Sequence, residues 1–167
     1  GTRVKRLILN DVGPFSPKAA LERIGSYVAD PPVFHSLNET AAYLRETLAG
    51  FGDLSDSDWS ELTKHSVLRE PGGTYRMHYD PAIGNVFDGP IEDVDLWALY
   101  DMIDCPTLVL RGANSDLLPG EVAEEMTKRG PKADLMEFGG CGHAPALMND
   151  TQIRAVHEWL MQFETVE

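Results

Sequence analysis

Apolar positions fall into two kinds of pattern along this chain. Leu7, Ile8 and Leu9 are consecutive and are closed by Asn10, Asp11 and Gly13-Pro14, which predicts a strand over 4–9 covered on both faces. Thr107 to Leu110, closed by Arg111-Gly112, and Ala133 to Phe138, closed by Gly139-Gly140, predict two more strands. Between these two the periodicity changes to helical. Pro119 suits a first turn, Val122 and Met126 share a face, and Gly130 suits a C-terminal cap. A last helix is expected over 151–163, with Ile153, Val156, Leu160 and Phe163 on one stripe and Asp150 or Thr151 as its cap. Strand, helix, strand, helix at these lengths predicts a parallel sheet with helices over its faces.

Residues 16–92 read differently. Leu21, Ile24, Tyr27 and Val28 share a helical face after Ser16-Pro17. Ser36 with Glu39, and Ser55 with Asp58, carry the spacing of capping boxes ahead of two further helices. The segment PGGTYRMHYDPAIG is expected to be an irregular connection, and Val94 to Ile103 a helix leading back to the second strand. An insert of this length far exceeds an ordinary strand–helix connection. It begins at the strand ends, where open α/β sheets bind ligands. The expected organisation is a core formed by 1–15 and 93–167, with 16–92 as a mostly helical cap.

Composition narrows the partners. The chain has 167 residues and a formal net charge of −13 with 14 Lys and Arg, which argues against nucleic acid or an anionic membrane. No apolar run approaches the ~20 residues needed to cross a bilayer. Cys105 and Cys141 form no disulfide framework, so a reducing, cytoplasmic setting is the expectation. No metal site and no cofactor is expected: three or four ligands at zinc spacing do not occur, and GGCG precedes a histidine where a phosphate loop needs lysine and a helix start.

Two residues stand where chemistry could occur. Asp116 follows the strand TLVL by a short loop, and His143 follows ADLMEF by another. Parallel strands would bring both loops to one sheet edge, where a carboxylate could fix the imidazole tautomer. The simpler alternatives are a turn-capping aspartate and a structural loop histidine. Cys141 could pair with His143, but a small buried thiol is the plainer reading. Asp11 ends the first strand at the same edge; it could shape the site, or accept amides in its own turn. Arg76 and His78, with Asp80, could line a cap-side pocket or pack in an exposed loop. Trp97 could border an acyl pocket or pack cap against core.

The segment CPTLVLRGANSDLL, followed by GGCGHAPALM, resembles the C-terminal part of the α/β-hydrolase family. RLILNDVGP is similar to that family's strand after the nucleophile-bearing helix, and WALYDMIDCPTLVLRG to its passage from cap to sheet. The resemblance implies the C-terminal part of an α/β-hydrolase sheet, with Asp116 orienting His143. It also implies an absence. The family's G-x-S-x-G elbow does not occur, Ser16 and Ser115 lack its strand-to-helix setting, and no serine precedes the first strand. The expectation is a hydrolase component that supplies acid and histidine, is inactive alone, and depends on a missing N-terminal half for its nucleophile. The implied reaction is serine-dependent hydrolysis of an ester, lactone or similar small acyl substrate. The alternatives are a non-catalytic binding module and an aspartate-nucleophile epoxide or haloalkane hydrolase.

Overall fold

Thr107 to Gly112 is buried at every position and forms the middle of the sheet. In the computed structural model, which describes residues 4–163, the elements run as follows. Strand β1 is Leu7–Asn10, β2 Phe15–Ser16, helix α1 Lys18–Val28, α2 Leu37–Thr47 and α3 Asp56–Ser66. Strands β3 (Val67–Arg69), β4 (Tyr75–Met77) and β5 (Val94–Asp95) precede helix α4, Trp97–Tyr100. The chain ends with β6 (Thr107–Gly112), α5 (Gly120–Met126), β7 (Asp134–Phe138) and α6 (Asp150–Met161).

The main sheet has the order β1-β6-β7 and is parallel throughout, with Leu7 opposite Thr107 and Leu108 opposite Asp134. Side chains of β6 alternate between two cores, as the strand period requires. Val109 packs with Leu118, Val122, Ala123, Met126 and Tyr100 on the α5 side. Leu108 and Leu110 pack with Trp159 on the α6 side. Helices α5 and α6 thus cover one face each, which is why the β6 run carries no polar alternation.

The first strand starts at Leu7, not at residue 4 as expected, because its partner begins at Thr107 and Pro106 has no N–H to extend the ladder. Capping follows the sequence signals with two shifts. Ser55 and Asp58 form the expected capping box on α3. At α2, Ser36 accepts from the Glu39 amide, but the Glu39 carboxylate accepts from the His35 amide. Asn149, rather than Asp150 or Thr151, caps α6.

Two expectations are corrected. The segment expected to be irregular contains β4, which pairs antiparallel with β3 just before it through a turn at Gly73 with φ +87°. Only a residue without Cβ enters that conformation freely. The helix expected over 94–103 is instead the two-residue strand β5, antiparallel to β2, followed by the single turn of α4. Leu96 N–H donates to Pro14 O at 2.6 Å and continues that pairing, so the backbone there serves the strand entering the insert. Among the described residues no helix is long and apolar enough to cross a membrane.

Candidate active site

Parallel β1, β6 and β7 deliver their following loops to one edge of the sheet. Asp11 is the first residue beyond β1. It is fully buried, its N–H donates to Leu110 O at 2.7 Å, and its φ is +56°. Aspartate tolerates this left-handed conformation better than most residues, and buried strain of this kind collects at functional sites. The turn aims the carboxylate across the sheet end.

Three groups converge on that carboxylate. The Gly112 amide donates to Oδ1 at 2.8 Å. The Ser115 hydroxyl donates to Oδ2 at 2.5 Å and itself accepts from the Leu118 amide at 3.1 Å. His143 places Nδ1 at 2.9 Å from Oδ2. A buried carboxylate at this distance selects the tautomer with the proton on Nδ1, leaving Nε2 as the basic nitrogen.

The histidine loop is fixed from several sides. Asn114 N–H donates to Cys141 O at 2.9 Å, and Asn10 Nδ2 donates to Pro145 O at 3.0 Å. Gly142 N–H donates to Gly50 O, in the 3-10 turn after α2, at 2.7 Å. A Cβ at Gly112 would lie 2.1 Å from Gly142 O, so only glycine lets the β6 loop pass this close to the histidine loop.

Asp116 is differently engaged. Arg23 of α1 holds it with two bonds, Nε to Oδ2 at 2.6 Å and Nη2 to Oδ1 at 2.8 Å. Hydrogen bonding to Arg23 keeps the Asp116 carboxyl below the ordinary aspartate range, with smaller contributions from the charges of Arg23 and His143. Asp116, Arg23 and His143 all border one cavity of about 260 Å3, whose other walls include Glu46 and Gly50 from the insert.

The remaining sequence-nominated positions lie elsewhere. Arg76 pairs with Glu70 on the β3–β4 hairpin, and His78 is exposed, its amide donating to Ser66 O at 2.8 Å. Trp97 packs edge-on to Tyr100, with the Arg129 guanidinium 4.4 Å from its ring centre. None of the three borders the cavity with His143. Cys141 is buried; burial pushes its thiol up, with Asp11 adding to the shift, so it is a poor nucleophile. Among the described residues no group of three His, Cys, Asp or Glu could hold a metal ion.

Sequence reasoning missed the Asp11–His143 contact and the place of Ser115. The available signal was Asn10-Asp11 at a strand end on the ligand-binding edge, which reads equally well as a turn.

No family model matches the chain. It is 37% identical over 160 residues to the 3-hydroxybutyrate-oligomer hydrolase of Cupriavidus necator, an alignment covering 90% of this chain and 54% of that protein. A crystal structure from Rickettsia typhi, described as of a hydrolase, superposes with a TM-score of 0.86 at 39% identity, covering 96% of this chain and 54% of the other. An α/β hydrolase from Novosphingobium aromaticivorans gives 0.81 at 32% identity, covering 96% and 57%. The chain therefore spans about half the length of these relatives. Its sheet is of the α/β-hydrolase type, and its sequence is similar to hydrolases.

These findings correct the expectation of a hydrolase remnant that supplies only acid and histidine and depends on a missing N-terminal half for a serine. Ser115 stands with Asp11 and His143 in one buried cluster of this chain. The sequence discounted Ser115 because it lacks an elbow motif. That test sees the local chain alone, whereas the cluster is assembled by pairing strands about a hundred residues apart.

Proposed function

We propose that the protein is an acyl hydrolase of the serine-hydrolase type, with Asp11 and His143 as its acid–base pair. The observation that carries this reading is the 2.9 Å contact between His143 Nδ1 and a carboxylate with no exposed surface. In the reaction, Nε2 removes the proton from a hydroxyl as its oxygen attacks the acyl carbon. The imidazolium returns that proton to the departing alcohol. The Asp11 carboxylate accepts from Nδ1–H and stabilises the charged ring. Water, activated by the same Nε2, then releases the acid.

Ser115 is the serine of the cluster. Its hydroxyl donates to the Asp11 oxygen that also faces His143, so it anchors the carboxylate. Service as nucleophile requires the side chain to leave Asp11 and present Oγ to Nε2. Residues 16–92 act as a cap in this reading, since Arg23, Glu46 and Gly50 wall the cavity beside His143. Similarity to an enzyme named for 3-hydroxybutyrate oligomers makes short hydroxyacyl esters the first substrates to try.

The test is labelling with a fluorophosphonate, mapped by tandem mass spectrometry and paired with ester hydrolysis. One stoichiometric adduct, lost in His143→Ala, is expected. An adduct on Ser115 makes it the nucleophile; hydrolysis that survives Ser115→Ala leaves it an anchor. Neither adduct nor hydrolysis would overturn the proposal.

A further inference from the structure

Asp116 neighbours the site yet is committed to Arg23, and the geometry of that commitment is informative. The two bonds use Nε and Nη2 of the guanidinium, one on each carboxylate oxygen. This side-on fork leaves the Nη1 amino group outside the Asp116 pair, and Tyr27 also lies close enough to the guanidinium to help raise its pKa. The Arg23 side chain keeps 40% of its surface exposed and borders the same cavity as His143. A guanidinium clamped at one edge is preorganised at the other, which reduces the rotamer entropy lost on binding.

We propose that Arg23, oriented by Asp116, is a specificity residue. It accepts acyl substrates that carry a second carbonyl-type oxygen beyond the scissile ester. The inference rests on the hydrolase reading and adds the substrate class to it. Asp116 and Glu46 set two carboxylates against this one cation in the cavity wall. The fork therefore offers directed donors more than net positive charge. A neutral ester carbonyl suits it better than a free carboxylate, which the two acidic side chains oppose. Asp116 is on this view a positioning residue for substrate recognition.

Three p-nitrophenyl esters of matched length test this: the pentanoate, the glutarate methyl ester and the free glutarate half-ester. The protein should prefer the methyl ester over the pentanoate. Arg23→Met should reduce that preference at least tenfold, with the loss in KM more than in kcat. Arg23→Lys, which keeps the charge without the fork, should restore little of it, and Asp116→Asn should lose part. A preference for the half-ester instead would overturn the assignment of a neutral carbonyl as the acceptor recognised. Arg23→Met lowering all three rates alike, or none, would overturn the inference while leaving the hydrolase reading intact. If no ester is hydrolysed, the hydrolase reading falls and binding decides the inference. Heptane-2,6-dione should shift the Arg23 Nε–H resonance, with at least tenfold weaker binding to the Arg23→Met protein, and glutarate, titrated separately, should bind more weakly than the dione. No shift from heptane-2,6-dione, or tighter binding of glutarate, would overturn it.

Discussion

His143 turns Nδ1 toward Asp11, at 2.9 Å from Oδ2, while Asp116 in the adjoining loop is held by Arg23. Both carboxylates sit near the imidazole, but only Asp11 is buried against it. A charge-assisted hydrogen bond away from water is stronger than one at an exposed site. On the proposed reading, Asp11 therefore governs the ring.

Ser115→Ala is expected to destabilise the fold. The substitution strips a donor from the fully buried Asp11 carboxylate and leaves the Leu118 amide without its acceptor. A loss of about 1–3 kcal/mol is expected for groups left unpaired in this way. Urea unfolding read by circular dichroism checks it. A change within error of zero would mean that Asp11 does not need this hydroxyl.

The Arg23–Asp116 pair contributes stability with a defined pH dependence. Arg23 lowers the folded-state pKa of Asp116 below its unfolded value. Its contribution is then present above the unfolded pKa and is lost as pH falls through the folded one. The side chains keep 40% and 48% of their surface, so solvent screening keeps the effect small. Arg23→Gln should raise the Asp116 pKa toward the ordinary value, as read by carboxyl carbon NMR. Its stability deficit should fade in acid. A deficit that persists unchanged once Asp116 is protonated would place its origin elsewhere.

Gly112→Ala should damage the site more than the fold. A Cβ there meets Gly142 O at 2.1 Å, and backbone on both sides prevents an inexpensive adjustment. Overpacking of this kind costs about 1–3 kcal/mol. The strain falls on the loop that carries His143, so ester hydrolysis should drop at least tenfold with the protein still folded. Wild-type kinetics in a folded Gly112→Ala protein would show that the loop tolerates displacement.

Thiol reactivity should separate the two cysteines. Burial raises the Cys141 thiol, whereas Cys105 is partly exposed. Iodoacetamide at neutral pH is expected to modify Cys105 first, followed by intact mass and peptide mapping. Earlier modification of Cys141 would mean that the glycine loop opens.

The sheet was legible because its signals are local and redundant. The LVL run of β6 and the Val122–Met126 stripe of α5 each pack onto one sheet that their spacing already implies. The β3–β4 hairpin and β5 were not legible, because strands of two or three residues have no periodicity and exist through their partners. The site divided in the same way. His143 stood out by its strand-end loop and family resemblance. Asp11 was placed at the edge of the site but not paired with His143, because an Asn-Asp pair closing a strand is an ordinary turn signal until β6 is laid beside it. Arg23 was invisible: it lies on the polar side of α1, and Asp116, its partner, is remote in sequence.

The most direct measurement is the pH dependence of kcat/KM for a short ester in Asp11→Asn and Asp116→Asn, each checked for folding. Loss of the Asp11 charge removes the tautomer selection and the stabilisation of imidazolium, and should lower kcat/KM by about 10^4. Asp116→Asn should retain most activity toward an ester without a second acceptor oxygen. The reverse order, with Asp116→Asn nearly inactive and Asp11→Asn close to wild type, would contradict the assignment of Asp11 as the partner of His143.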